Sequence, residues 1–151
     1  MSKNVDFNGI GYVAATFPVD STTITYLKAN HLNASTGNVD INGKNLAVKL
    51  GTDGKVGFGA ETPTAADALI GVIVAYEMDG YASVQLFGGI DEVPTKAAIT
   101  GGVKQLVVNN KGELVVLADT MATSALTKGG SETLVVKPST SSNLFASIVL
   151  K

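Results

Sequence analysis

His31 is the one histidine of the chain and the first residue to test for chemistry. A Ser–His–acid triad has to use it, and no Gly-x-Ser-x-Gly elbow supplies the serine. It stands in the polar stretch Asn30-His31-Leu32-Asn33, which reads as a solvated loop. The carboxylates are dispersed. Among 13 acidic residues, Asp91-Glu92 is the one adjacent pair, and Glu77 with Asp79 the one close alternate pair. Glycoside hydrolysis needs two carboxylates flanking the sugar at a defined separation, and nothing in this spacing selects such a pair. No Asp-x-Asp-x-Asp-Gly loop marks a calcium site, and Asp53-Gly54 and Asp79-Gly80 are explained by turns. The chain has no cysteine, which removes thiolate nucleophiles, disulfides, cysteine-based zinc sites and iron–sulfur ligation together. Gly88-Gly89 and Gly101-Gly102 lack the spacing and the lysine of a phosphate loop, and Gly9-x-Gly11 lacks the third glycine of a dinucleotide fingerprint. The expectation is a protein that is not an enzyme, with no catalytic residue, cofactor or metal.

Composition narrows the partners. All 11 basic residues are lysines, and the net charge is −2. Without arginine, the usual residue for bidentate phosphate and base-edge contacts, nucleic-acid binding is not expected. Tryptophan, a large interface anchor, is also absent. Hydrophobic residues make up 45% of the chain and charged residues 16%, against about 25% charged in an ordinary soluble domain. Such a chain is not disordered. Its longest apolar run, Ala68 to Tyr76, is well short of the roughly twenty residues a membrane-crossing helix needs. No charged segment followed by an apolar stretch opens the sequence, so neither a signal peptide nor a membrane role is expected. An apolar chain with few charges has to hide surface, either against copies of itself or against a larger partner.

At 151 residues the chain is about one domain. Valine and threonine runs punctuated by glycine predict a mainly β fold: a small antiparallel barrel or sandwich built of hairpins, with an extended N-terminal segment and one or two short helices. The clearest hairpin joins Leu69–Met78 to Tyr81–Phe87 through Asp79-Gly80, read as a two-residue type I′ turn. That register pairs Met78 with Tyr81, Ala75 with Val84 and Ile73 with Leu86, and it puts Tyr76, Tyr81 and Phe87 on one face. Further hairpins are expected at Leu46–Leu50 with Lys55–Phe58, and at Gln105–Val108 with Glu113–Leu117. C-terminal strands are expected at Thr133–Lys137 and Leu144–Leu150, around a polar turn at Ser139–Asn143. Short helices are expected after Thr62-Pro63 and over Asp119–Lys128.

The first forty residues differ from the rest and divide the chain into 1–40, an arm or first strands, and 41–151, a β domain. Strand-like pieces at Gly11–Phe17 and Thr23–Leu27 lie among Asn, Ser, Thr and Gly. The aromatics Phe7, Tyr12 and Phe17 in this polar stretch are candidate anchors on a partner, and Tyr76, Tyr81 and Phe87 are candidates for a subunit contact.

The middle of the chain carries a resemblance. Ala68-Leu69-Ile70-Gly71-Val72-Ile73-Val74 is followed by Asp79-Gly80 and a returning strand that ends in Gly88-Gly89. Gly101-Gly102 then enters the hairpin Val103–Val108 with Lys111-Gly112-Glu113-Leu114. This stretch, about residues 45–118, resembles bacteriophage head decoration proteins, also called capsid cement proteins. The resemblance implies a structural virion protein on the capsid surface, assembled in the host cytoplasm. Its partners would be the major capsid protein and copies of itself, a trimer being one arrangement. Alternatives are the base of a head fibre or another virion part, and a cell-surface or carbohydrate-binding β module.

Overall fold

The computed structural model describes residues 11–41, 44–77, 79–117 and 132–150. Nine strands are described: β1 (Val13–Pro18), β2 (Leu46–Leu50), β3 (Val56–Gly57), β4 (Gly71–Tyr76), β5 (Tyr81–Pro94), β6 (Gly102–Val108), β7 (Leu114–Val116), β8 (Glu132–Lys137) and β9 (Phe145–Leu150). A helix α1 (Ser21–Asn30) follows β1, and a single 3-10 turn (Ala65–Asp67) precedes β4. The strands pair antiparallel in the order β3-β2-β4-β5-β9-β8-β6-β7, with β1 also on β5. The mainly β architecture is as expected, and the sheet curls into a half-barrel.

Backbone bonds draw the two ends of the sheet together. Ala47 N–H donates to Gly112 O (2.9 Å), Gly59 N–H to Asn109 O (3.0 Å) and Leu69 N–H to Leu106 O (3.1 Å). Curling gives every strand an inner face, and Val48, Ile73, Val84, Val93, Leu106, Leu114 and Ile148 are sealed there with Leu27 of α1. Alternating valine and isoleucine supply that face, as the period of a strand requires. Hydrophobic burial of this kind is the main stabilising term.

The two flanking hairpins and both C-terminal strands form where the sequence places them. Gly112, at φ +76°, turns β6 into β7, while the Asn109 carboxamide accepts from the amides of Lys111 and Glu113 (both 2.9 Å). A side chain at Gly112 has no room beside Phe58 and Leu46, so here the turn residue is also a packing residue.

Three expectations are corrected. Thr23–Leu27 is helix, not strand. Its β-branched residues favour extended chain, but Asp20 caps the helix by accepting from Thr23 N–H (2.7 Å). Thr23 Oγ1 then accepts from Phe58 N–H (2.9 Å), a tertiary bond that overrides propensity. The short turn near Pro63 is capped by Thr64, not Thr62, through a capping box with Asp67. The β4–β5 loop has three residues, not two: Glu77 N–H donates to Tyr81 O (2.8 Å) and Gly80 N–H to Glu77 O (3.1 Å). Of the turn's described residues only Gly80 takes a positive φ, +88°. Asp79 Oδ1 accepts from Tyr81 N–H (3.2 Å), a local bond that favours a type I turn closed by glycine. The helix expected over Asp119–Lys128 lies outside the described residues.

Candidate functional site

The loop change resets the register. Tyr76 pairs with Ala82, Ala75 with Ser83 and Ile73 with Val84, with an irregularity between Ile73 and Ala75. Directly opposed residues share a face. Tyr76 therefore lies on the inner side with Ala82, whereas Tyr81 and Phe87 lie on the outer side. The single face expected for Tyr76, Tyr81 and Phe87 is split.

On the other flank of β5, β1 brings Val13 opposite Phe87, Phe17 opposite Ala82 and Pro18 opposite Tyr81. Phe17 and Tyr76 thus pack against the core as half-buried residues. Tyr12, Val13, Tyr81 and Phe87 are exposed, at 61%, 53%, 43% and 42%. Phe7 lies outside the described residues. Of the six aromatics expected to touch a partner, Tyr81 and Phe87 lie on the outer side of β5, and Tyr12 is exposed immediately before β1. Val13 belongs with them and was missed, because its strand neighbours gave no alternation to assign it a side. Neither strand carries a charge along the β1–β5 seam: none occurs from Tyr12 to Pro18 or from Tyr81 to Ile90. Exposed strands ordinarily carry lysine or other charge, which discourages chance pairing.

The residues tested for chemistry are held in structural roles. Asp79 closes the β4–β5 turn. Asp91 Oδ1 accepts from the Ser147 hydroxyl (3.0 Å), and its carbonyl accepts from Asn45 Nδ2 (2.6 Å). Glu92 Oε1 pairs with Lys137 Nζ at 2.7 Å. Asp67 pairs with Lys49 at 2.7 Å. Burial pushes the Asp67 carboxyl up, but bonds from Lys49 and the backbone of Thr64 and Ala60 outweigh it and hold the group below its ordinary value. Among the described residues, no group of three or more His, Asp or Glu side chains gathers to hold a metal.

His31 is the exception to its expected place. It caps the C-terminal end of α1, its N–H donating to Leu27 O (2.8 Å), and is half-buried rather than free in a loop. Its ring lies 5.9 Å from that of Tyr26. Burial, with the charge of Lys44 adding, holds its pKa below the ordinary histidine value. Tyr26 packs edge-on against Phe58 at 5.4 Å, and its hydroxyl is pushed up by burial and by Glu113. Tyr26, His31, Lys44 and Glu113 line a groove of about 300 Å³ that Phe145 and Pro94 wall from the β5–β9 end.

No protein-family model, curated protein or solved structure matches the chain.

Proposed function

We propose that this protein is a structural component of a phage virion, binding the outside of the capsid and stabilising it. The observation that carries the reading is the uncharged outer seam of β1 and β5, with Tyr12, Val13, Tyr81 and Phe87 turned to solvent. A rigid sheet presenting aromatic side chains is suited to burial against a larger surface, since Tyr and Phe supply contact area at little cost in side-chain freedom. The resemblance over residues 45–118 points the same way. A cement role asks for no reacting group, and engaging several capsid subunits at once multiplies weak contacts. The partners in this reading are the major capsid protein and further copies of this chain.

The test mixes purified protein with preformed heads that lack it. Binding should saturate at a stoichiometry that follows lattice sites and should raise the melting temperature of the heads. Tyr81→Glu with Phe87→Ser should weaken occupancy at least tenfold while the free protein stays folded. Full occupancy by that folded double variant rejects the seam as the docking face. A few sites per particle points to the base of a fibre instead.

A further inference from the structure

The groove at the C-terminal end of α1 lies apart from the outer β1–β5 seam and is built from five separate stretches of chain, Pro94 at the end of β5 being one. Tyr26 and His31 come from the helix and its cap, Lys44 from the approach to β2, Lys111 and Glu113 from the β6–β7 hairpin, and Phe145 from the start of β9. Its volume, about 300 Å³, is at the lower end of the range for small-molecule sites. Three chemical features meet there. Tyr26 and Phe145 give it aromatic walls. Lys44 and Lys111 line it without a carboxylate partner among the described residues, although the two other described lysines nearest an acid, Lys49 and Lys137, are both paired at 2.7 Å. The Tyr26 hydroxyl and the His31 ring nitrogens have no hydrogen-bond partner among the described residues, and Glu113 is engaged through Oε1 alone, by Asn109 Nδ2 (2.8 Å).

We infer that this groove binds a sugar ring bearing a carboxylate, of the uronic-acid class. The lysines call for an anion. A flat, purely apolar acid would satisfy them and the walls, but it would cover Tyr26, His31 and Glu113 without partners, and a covered polar group left unpaired is costly. A ring with hydroxyl groups meets all three, donating to Glu113 and exchanging bonds with the tyrosine and the imidazole, while its C–H faces lie on the aromatic walls. The inference does not depend on the capsid reading, and its test uses no heads.

Isotope-labelled full-length protein is titrated with glucuronate and followed by NMR, with glucose, acetate, benzoate and acetyl-aspartyl amide in parallel. Glucuronate should shift the Tyr26, His31 and Phe145 side-chain signals saturably. The other four compounds should bind at least tenfold more weakly. Lys44→Gln with Lys111→Gln should weaken glucuronate at least tenfold, and Phe145→Ser should do so without touching the charge. Both changes fall on exposed positions, so an unchanged backbone spectrum elsewhere verifies the fold. The inference fails if glucuronate leaves those signals in place up to about 50 mM, where a Kd of order 10 mM would already show. It fails equally if glucose matches glucuronate, which removes the lysines from the site, or if benzoate or the aspartyl amide matches it, which removes the sugar.

Discussion

The two halves of β5 share one strand and one inner face, and both slip register against a neighbour, yet they differ in charge, in backbone conformation and in what holds them. Tyr81–Phe87 runs between β4 and β1, is uncharged, and shows Tyr81 and Phe87 to solvent. Gly88–Pro94 pairs with β9, slips register between Ile90 and Val93, and takes positive φ at Gly88 (+103°) and Glu92 (+59°). Asn45, Ser147 and Lys137 each reach over to hold this second half. Inside, Ala82 and Val84 are buried like Ile90 and Val93. The lesson is that unfavourable φ angles persist where side chains over-determine them. The first half keeps ordinary φ throughout and carries no such tethers from other strands among the described residues, which leaves its outer surface available for something other than folding.

That contrast can be broken most severely at its joint. Gly88→Val puts a β-branched residue at a positive φ and drives its Cβ into the Gly11 carbonyl, with an expected cost of about 3 kcal/mol or more in chemical denaturation. Glu92 comes next. Glu92→Val loses the Lys137 pair and keeps a side chain at an unfavourable φ, for about 2 kcal/mol. Glu92→Gly loses the same pair but relieves the backbone, and should cost about 1 kcal/mol less than Glu92→Val. Equal losses for the two would show that the ion pair, not the backbone, governs the bulge. On the first half, Phe87→Ser should change stability by under about 1 kcal/mol. A larger loss there would make the outer seam part of the fold.

The smallest effect serves as a control for the others. His31 resists protonation in the folded state, so between its folded and ordinary pKa values the unfolded chain binds more protons. Stability should therefore drop slightly as pH falls through the ordinary histidine range, and level off below the folded value. His31→Gln should remove that slope, whereas variants in either half of β5 should retain it, since neither half contacts the imidazole in any described hydrogen bond.

Much of the sheet was legible because its hairpins announce themselves locally. Gly54 and Gly112 sit where the turns need positive φ, between runs of valine and leucine whose alternation has one reading. The central hairpin was legible as an element but not in register. Asp79-Gly80 is compatible with loops of two or three residues, and the irregularity between Ile73 and Ala75 leaves no mark in the residue types. Since one step of register reverses a strand's faces, that ambiguity was enough to misplace Tyr76. α1 was illegible for a different reason. Thr22, Thr23, Ile24, Thr25 and Tyr26 all lean toward extended chain, and the bond from Phe58 to Thr23 that favours helix is made by a residue 35 positions away. The groove beside α1 was hidden most completely, because its lining comes from stretches that only the curl of the sheet brings together.

That curl has a kinetic side. Asp91 and Ser147, joined across β5 and β9, are 56 positions apart in the chain. The far half of β5 can gain its partner only by closing a large loop, and folds dominated by such distant pairings reach the native state in milliseconds to seconds, far behind helical bundles. During that interval Gly88–Pro94 presents an open ladder of amides and carbonyls. Crowded refolding should accordingly yield aggregates that dilution suppresses.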